Sequence, residues 1–397
     1  MPALRRLVNA HDVQSELTQA REWQRQGKQA QARTLCREIL AWHPDQADAV
    51  RLLAALLLQA GMAGEAVSVL RGASTVGAHD PDLLCQLGDA LMRLGRDKEA
   101  MNVLIAAQRG RVAHLPTIKL TATLLHRAGQ REDAQTLMGD ALFRLGATAG
   151  AVDILKHWQA LMPNDPVPQH RLAAPHGQDT PPRAADAYVT YLFDRYADTF
   201  DASLAGLGYQ APALIAQQLQ DASIMPTRQW QVLDAGCGTG LCAPIARPFA
   251  EHLTGIDLSS AMVTKALERG GYDELVISEI TAYLTRNPAR FDLIVSADTL
   301  IYFGDLCTVL TGASHALRPS GWLAFTVEKL AVCTGANGYR LNANGRYSHS
   351  HDYLRKTLAA TGFVTRSMTE GVIRQDGEQP VAGWVVLAQR DTGDGAG

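Results

Sequence analysis

The first half of the chain repeats one pattern of small and apolar positions every 34 residues. In each copy an alanine follows a glycine by five residues, with large apolar and small residues at fixed places around them. A unit of this length suits two antiparallel helices, with the glycine ending the first helix. The pattern predicts a helical repeat domain over residues 1–162. Its columns are Gly27, Gly61, Gly95 and Gly129; Ala32, Ala66, Ala100 and Ala134; Leu35, Val69, Val103 and Leu137; Trp23, Leu57, Leu91 and Leu125; and Ala20, Ala54, Gly88 and Ala122.

The pattern changes from about residue 229, where short apolar runs alternate with helical stretches. Five runs rich in Val, Ile and Leu are predicted strands: QVLDA, LTGID, LVIS, FDLIVSAD and GWLAFTV. Such alternation is typical of a doubly wound α/β sheet. Two later runs, GFVTRSM and GWVVLAQR, predict an antiparallel pair at one edge. The expected fold class is α plus α/β, an α-solenoid followed by a Rossmann-like seven-stranded domain over residues 185–390.

Proline marks the boundary between these two patterns. Six prolines lie between positions 163 and 182, and no apolar periodicity accompanies them. Proline-rich chain forms semi-rigid spacers, so we expect a linker over residues 163–184. Residues 391–397 are expected to form a flexible tail.

Composition and charge narrow the function classes. The 397 residues carry 37 Lys and Arg against 40 Asp and Glu, a net charge of −3, which gives no support to nucleic-acid or anionic-membrane binding. No apolar run reaches the roughly 18–20 residues of a membrane span. The six scattered cysteines lack zinc-binding spacing, so we expect no metal and a reduced, cytoplasmic protein.

A glycine-rich turn follows the first predicted strand in the segment VLDAGCGTG, residues 232–240. Its glycines would let a ligand approach bare backbone, but the last glycine of the dinucleotide fingerprint G-x-G-x-x-G is missing. Asp234, just before the glycines, would repel a pyrophosphate and suits a cationic amino group. Asp257 ends the next predicted strand, where an acidic residue can accept hydrogen bonds from ribose hydroxyls. The second half is therefore predicted to bind a nucleotide-like cofactor.

Four ordered motifs make the second half similar to class I S-adenosylmethionine-dependent methyltransferases. They are VLDAGCGTG, GIDLSSAMVTKA, FDLIVSADTLIYFGDL and LRPSGWLAFTVE. The 34-residue period of the first half resembles the tetratricopeptide repeat. The resemblances imply S-adenosyl-L-methionine as the cofactor and an array whose groove binds a peptide or protein. An array that only packs against its neighbour domain, or that forms a homodimer, stays open as the alternative.

The methyltransferase resemblance also implies roles for individual residues. Asp234 would take the methionine ammonium, directly or through water, and Asp257 would take the ribose hydroxyls. The segment YVTYLFDRYADTFD resembles a lid helix of the family, with Tyr191, Tyr196 and Phe200 as candidates to cover the cofactor, although aromatics at helical spacing also suit core packing. In all, the motifs imply the following cofactor-binding residues: Asp234, Gly236, Cys237, Gly238, Asp257, Leu258, Met262, Glu279, Ile280 and Ala297.

Methyl transfer requires mainly a nucleophile held about 3 Å from the methyl carbon and shielded from water. Tyr302 and His349 are the catalytic candidates, and His349 could act as a base near neutral pH. Structural roles are the alternatives. Tyr302 could only pack in the wall of the cleft, and His349 could only make a local hydrogen bond beside a helix that starts at Ser348 or Ser350. Asp298 and Glu328 also face the expected cleft, but a helix N-cap and a solvated strand end would explain them equally well.

The segment after the fifth predicted strand should cover the substrate side of the cleft. In it, Arg340 or Arg346 could hold an acidic substrate. The spacing of Cys333, His349 and His351 is too irregular for a zinc site, and methyl transfer needs no metal.

Three functions follow from these patterns and resemblances. The first is an S-adenosylmethionine-dependent methyltransferase whose array recruits a peptide or protein substrate. The second is a small-molecule O- or N-methyltransferase that uses the array for dimerisation or docking. The third is a non-catalytic protein that binds the cofactor as a sensor or structural ligand.

Overall fold

The computed structural model describes residues 10–73, 80–108, 114–146, 148–174, 180–331, 337–376 and 379–392. The chain divides into two compact units, Met1–Pro163 and Asn164–Gly397. Cys333 and the end of the expected tail lie outside the described residues. Within the described ranges no helix combines the length and the apolar character needed to cross a bilayer.

The first unit consists of helices in antiparallel pairs, as the 34-residue period predicts. Four pairs follow one another, and one further helix completes the described part of the unit. The helices are α1 (Ala10–Arg25), α2 (Gln29–Trp42), α3 (Ala47–Gln59), α4 (Ala63–Gly72), α5 (Pro81–Arg93), α6 (Asp97–Gln108), α7 (Leu115–Arg127), α8 (Arg131–Leu145) and α9 (Ala149–Leu161).

The periodic glycines and small residues occupy the positions that the pattern predicts. The four glycines lie in the turns inside each pair, with φ angles of 76°, 75°, 71° and 77°, a left-handed conformation that glycine adopts without strain. The alanines that follow them by five residues are fully buried. At the α5–α6 crossing, a Cβ on Gly88 would lie 2.5 Å from Cδ2 of Leu104, so this small residue permits close contact.

The repeat period extends to ion pairs that the apolar pattern does not reveal. Arg37 binds Glu65 at 2.8 Å, and 34 residues later Arg71 binds Glu99 at 2.7 Å. Each pair joins the second helices of successive repeats. All four side chains are about half exposed, so solvent screening leaves each pair only a weak contribution to the stability of the array.

The second unit is built on one twisted sheet. Parallel strands run in the order β3-β2-β1-β4-β5, and the antiparallel pair β8–β9 extends the sheet beyond β5. This order and the edge pair agree with the seven predicted strands. The strands are β1 (Trp230–Ala235), β2 (Ala250–Asp257), β3 (Glu274–Ile277), β4 (Phe291–Ser296), β5 (Leu317–Lys329), β6 (Tyr339–Leu341), β7 (Tyr347–His349), β8 (Phe363–Asp376) and β9 (Gln379–Arg390).

Two short strands were not predicted from the sequence. β6 and β7 form an antiparallel hairpin, and β7 pairs in parallel with the end of β5. Each strand has only three residues, too few for an alternating pattern to be recognised. The hairpin falls in the segment that was expected to cover the substrate side.

Helices flank the sheet and continue the numbering of the first unit. The central strands β1 and β4 are buried along most of their length, as expected where helices cover both faces. The helices are α10 (Pro166–Leu172), α11 (Asp186–Tyr196), α12 (Phe200–Gly206), α13 (Ala211–Asp221), α14 (Ala243–Ala246), α15 (Ser260–Arg269), α16 (Ile280–Arg286), α17 (Cys307–Ala316) and α18 (His351–Ala360).

The segment expected to be a linker contains helix α10, which belongs to the second unit. Asp165 caps this helix by accepting from the Val167 amide at 3.1 Å, and Pro166 occupies its first turn. Proline is favoured at that position because the first amides of a helix have no helical partner. The proline content therefore marks a helix start here, which corrects the expectation of a continuous linker over residues 163–184.

The turn glycines give a direct test of the repeat fold. We expect Gly95→Ala to lower the free energy of unfolding by about 1 kcal/mol, because an alanine there must adopt a left-handed conformation. Gly139→Ala is the matched control: this glycine is inside α8 with open space around it, so alanine should raise stability by about 0.5–1 kcal/mol. Urea unfolding followed by circular dichroism measures both, and equal effects would contradict the assignment.

Candidate functional site

A cleft of about 1090 Å³ lies at the carboxyl ends of the parallel strands β1 to β4. Ligands of open α/β sheets bind at this edge, where the loops after several strands converge. The cleft collects most of the residues that the motifs imply. The predicted residues that line it are Gly236, Cys237, Gly238, Asp257, Leu258, Glu279, Ile280, Ala297 and Tyr302.

The glycine loop after β1 is fastened to β2 by its own amides. The amides of Gly236 and Cys237 both donate to the carbonyl of Ile256 at 2.8 Å. A Cβ on Gly236 would lie 2.3 Å from the Thr299 side chain, so only glycine fits there. Gly238 has a φ of 53°, and a Cβ there would point toward Phe200 across the cleft, 4.0 Å from its ring. The loop thus presents bare backbone to a ligand.

Asp257 closes this loop against the end of β2. Its two carboxylate oxygens accept from the amides of Gly238 and Ser259, each at 2.9 Å. Burial raises the pKa of Asp257, while these amide hydrogen bonds oppose the rise. Each carboxylate oxygen can accept a second hydrogen bond, so Asp257 has acceptor capacity left for hydroxyl groups in the cleft.

Asp234 lies behind the glycine loop and not on the cleft wall. It is fully buried, and its Oδ2 accepts from the Tyr272 hydroxyl at 2.6 Å. Its Oδ1 has no hydrogen-bond partner among the described residues. Burial raises the pKa of Asp234 to about 7. The Tyr272 ring lies so close to β2 that a Cβ on Gly255 would come within 2.8 Å of it.

Phe200, one of the three predicted lid residues, lines the cleft on the lid side together with Phe193, which was not predicted. Phe193 of α11 and Phe200 of α12 border it, with ring centroids 5.9 Å apart. Tyr191 and Tyr196 do not line the cleft, and the Tyr191 ring lies under the Arg195 guanidinium at 5.4 Å. Helical geometry explains the error for Tyr191, because it precedes Phe193 by two residues and so lies on the other side of α11.

Aspartates of the lid segment bind the helix that follows β2. Asp194 accepts from the Ser259 hydroxyl at 2.5 Å, and Asp198 pairs with Lys265 at 2.9 Å. Asp201 pairs with Arg269. These carboxylates recur at positions 194, 198 and 201, a helical spacing that was visible in the sequence but was overshadowed by the aromatics. They hold the lid across the glycine loop.

Two other residues that the motifs implied as cofactor-binding have structural explanations. Met262 is fully buried and does not line the cleft. Glu279 caps α16 by accepting from the Ala282 amide at 2.7 Å, and its other oxygen accepts from Arg183 at 3.2 Å.

Buried charges form the other end of the cleft, beyond β4. Arg374 of β8 is 1% exposed and binds Asp298 at 2.5 Å as well as Glu328. Asp298 has a φ of 53°, a strained conformation for a non-glycine residue, and its amide donates to Thr326. The structural alternatives from the sequence analysis were a helix N-cap for Asp298 and a solvated strand end for Glu328. Neither holds, because Asp298 caps no helix in the described part of the chain and Glu328 is buried. Arg374 itself has no motif around it, so the sequence did not reveal it.

The structure contradicts the prediction that His349 acts as a base. His349 is fully buried in β7, does not line the cleft, and its Nε2 bonds the Gly304 carbonyl at 3.1 Å. Burial lowers its pKa to about 4, so the ring is neutral at physiological pH. The local alternative agrees with the structure: Ser350 caps α18 by accepting from the Tyr353 amide at 3.3 Å.

Tyr302 lines the cleft between the lid and the charged end. Its ring packs edge-on against Phe193 at 5.5 Å, and Arg346 lies close to its hydroxyl. Burial raises the pKa of Tyr302, so the hydroxyl keeps its proton at neutral pH. Arg346 enters the cleft from the β6–β7 hairpin, whereas Arg340 lines a separate cavity. Among the described residues, no cluster of three potential metal ligands occurs.

Comparison with known proteins agrees with this architecture. A family model described as a methyltransferase domain matches residues 233–325, and a tetratricopeptide repeat model matches residues 24–81. Residues 233–325 are thus similar to a methyltransferase domain, and residues 24–81 are similar to a tetratricopeptide repeat. The methyltransferase match covers β1 to β5, the strands whose carboxyl ends form the cleft.

Curated relatives match only part of this chain. A malonyl-[acyl-carrier protein] O-methyltransferase from Pseudescherichia vulneris is 33% identical over 35% of this chain and 52% of its own length. A ubiquinone biosynthesis O-methyltransferase from Xylella fastidiosa is 32% identical over 33% of this chain and 57% of its own. The chain thus spans about half the length of these relatives. A solved S-adenosylmethionine-dependent methyltransferase from Mesorhizobium loti has a TM-score of 0.35, at 21% identity, over 46% of this chain and 97% of its own.

The cleft fits S-adenosyl-L-methionine, the cofactor that the methyltransferase domain indicates. The bare backbone at Gly238 leaves room for a ligand, and Asp257 can accept further hydrogen bonds. The unpartnered, buried Oδ1 of Asp234 supplies an acceptor close behind the glycine loop. An amino acid joined to a nucleoside has the complementary groups, an ammonium and ribose hydroxyls.

The raised pKa of Asp234 predicts a pH-dependent cost to folding. The folded carboxyl holds its proton up to about pH 7, but the unfolded one releases it near its ordinary pKa of 3.8. The native protein therefore loses stability as the pH rises through this window. Asp234→Asn should remove the loss, so its advantage in free energy of unfolding should grow by about 1.4 kcal/mol per pH unit and level off above pH 7.

Urea unfolding at several pH values measures this advantage. Asp221→Asn is the matched control, because Asp221 is exposed at the end of α13 and accepts only from Gln217 in the same helix. It gives the effect of the same substitution at an exposed site, against which the Asp234→Asn values are compared. An Asp234→Asn effect that does not change with pH would show that Asp234 is ionised throughout.

Proposed function

We propose that this protein transfers a methyl group from S-adenosyl-L-methionine to a peptide or protein that its tetratricopeptide array recruits. The observation that carries the proposal is the cleft itself. It joins a bare glycine loop, the Asp257 carboxylate and an apolar lid at the carboxyl ends of the parallel strands. A match to a methyltransferase domain covers these strands.

Different residues along the cleft would bind different parts of S-adenosyl-L-methionine. Asp257 would accept from the ribose hydroxyls, and Leu258 and Ile280 would pack beside the adenine. Asp234 in its ionised form would attract the methionine ammonium through the loop. Ala297, directly after β4, would border the sulfonium. When bound, this cofactor supplies an electrophilic methyl group with a neutral thioether as leaving group.

The lid would exclude water from the reacting groups. Phe193, Phe200 and Tyr302 place apolar ring surface over the cleft, and the lid aspartates hold these helices to α15. Excluding water strengthens the electrostatic interactions inside the site and prevents hydrolysis. The chain's own residues thus bind, orient and dehydrate the reactants.

The array supports a peptide or protein acceptor, because helical repeats form extended concave surfaces suited to such ligands. An array in the same chain as the cleft would raise the local concentration of a weakly bound acceptor. The relatives favour a second candidate, transfer to a small molecule, since one is named for ubiquinone biosynthesis. In that case the array would serve dimerisation or docking. The described cysteines are all free thiols, which supports a reducing, cytoplasmic compartment.

Asp257→Ala tests the donor site in the full-length protein. We expect its affinity for S-adenosylmethionine to fall by about 10–100-fold, since a carboxylate that binds two hydroxyls is lost. Isothermal titration calorimetry measures the affinity, and Asp221→Ala, at an exposed helix end, should bind like the unaltered protein. Unchanged affinity in Asp257→Ala would rule out the proposed donor site.

Transfer is tested with isotope-labelled donor and a cell extract separated by size. Label in discrete proteins or peptides supports the array as a substrate reader, and label only in small metabolites supports the second candidate. Tight donor binding without transfer to either fraction would favour a non-catalytic, donor-binding protein.

A further inference from the structure

The end of the cleft beyond β4 is the place for the methyl acceptor. The loops after β1, β2 and β3 form the end that suits the nucleoside, with Asp257 and Ile280. The opposite end is bordered by Asp298, Tyr302 and Arg346. Because Ala297 lies between the two ends, an acceptor in the second end would face the donor's methyl group.

Three arginines line the cleft, and they differ in how far their charge is already matched. Arg183 binds Asp186 at 2.6 Å and also Glu279. Arg374 is held between Asp298 and Glu328.

Arg346 makes the loosest ion pair of the three. Its nearest carboxylate oxygen, on Glu328, is 3.8 Å away, too far for a hydrogen bond, and is already bound by Arg374. It lies beside the neutral Tyr302 hydroxyl. Its side chain is 29% exposed and lines the cleft. A guanidinium has five N–H donors in a planar fork that fits a carboxylate in bidentate geometry.

The histidine and the tyrosines near this end of the cleft are not prepared to remove a proton at neutral pH. His349 is outside the cleft, and burial raises the pKa values of the Tyr302 and Tyr209 hydroxyls, which line it. Asp298 binds Arg374 through Oδ2, and its Oδ1 has no hydrogen-bond partner among the described residues. An acceptor that must first lose a proton, such as an alcohol, would have to give it to this carboxylate, which is already paired with a cation, whereas a carboxylate acceptor has no proton to lose.

We infer that the methyl acceptor is a carboxylate, held by Arg346 and methylated to an ester. This inference rests on the proposed function and specifies its substrate class. One carboxylate oxygen forms the new O–C bond while the C–S bond of the donor breaks and its electron pair stays on sulfur. The carboxylate and sulfonium charges cancel, both products of these centres are neutral, and no proton moves. The site therefore needs a cation and dryness, but no base.

The β6–β7 hairpin, which carries Arg346, is held in place by α10, the helix in the segment that was expected to be a linker. His170 of α10 bonds the Gly345 carbonyl at 2.9 Å, and the Arg171 guanidinium donates to the Ala343 carbonyl. The Tyr188 hydroxyl lies so close to Gly345 that a Cβ there would come within 2.3 Å of it. These contacts hold the turn next to Arg346, so the cation is positioned before an acceptor arrives.

The chemistry of the product distinguishes a carboxylate acceptor from others. The full-length protein is incubated with methyl-labelled S-adenosylmethionine and with the protein and small-molecule fractions of a cell extract. Methyl esters release volatile methanol in mild alkali, whereas N-methyl groups and methyl ethers do not. We expect most of the label to appear as methanol, and the fraction that yields it tells a protein carboxylate from a metabolite.

Variants of Arg346 test its role apart from donor binding. Arg346→Met should lower the rate of alkali-labile labelling at limiting acceptor by about 10–100-fold, while Arg346→Lys, which keeps the charge, should lose less. Donor affinity by calorimetry should change by less than about twofold in both. Arg366→Met is the control, since Arg366 is exposed on β8 and bonds Gln389.

Each outcome decides the inference. Label that resists alkali overturns the carboxylate acceptor and leaves methyl transfer standing. A normal labelling rate in Arg346→Met, with donor affinity unchanged, overturns the role of Arg346. Failure to label either fraction, although the donor binds, overturns the proposed function together with the inference.

Discussion

The cleft depends on the way the loop after β1 is bonded to the end of β2. The amides of Gly236 and Cys237 share one carbonyl, that of Ile256, and the Gly238 amide binds the Asp257 carboxylate. This arrangement bends the chain sharply and turns backbone, not side chains, toward the ligand. Every other part of the site is placed relative to it: the lid binds the helix after β2, and the charged end lies beyond β4.

Electrostatics give the two ends of the cleft different tasks. Near the loop, buried acids prevail, and the raised pKa of Asp234 reflects the cost of keeping a carboxylate out of water. A bound cation would offset that cost. Beyond β4, Arg374 is bonded to both Asp298 and Glu328, whereas Arg346 makes only a 3.8 Å ion pair with Glu328 and keeps donors for a ligand. An anionic acceptor and a cationic donor would complete this distribution of charge.

Sequence patterns predicted the fold better than they predicted individual contacts. Period and spacing predicted the repeats and the seven main strands, because helix turns and buried parallel strands constrain residue types locally. The motifs also predicted the cleft-lining glycines and Asp257. They failed for Tyr191 and His349. Tyr191 was chosen for its place in the lid segment and His349 for its ability to act as a base, but in the structure neither side chain lines the cleft. Arg374 and the β6–β7 hairpin act through contacts between segments that are distant in the sequence. Such contacts leave no local pattern from which they could be predicted.

The most direct test of the account is a crystal structure of the full chain with S-adenosylhomocysteine, the demethylated form of the donor. The account predicts its ribose at Asp257, its amino-acid part along the Gly236–Gly238 backbone, and its sulfur beside Ala297 and facing the Arg346 end. A ligand bound outside this cleft, or one whose sulfur faces away from Arg346, would contradict it.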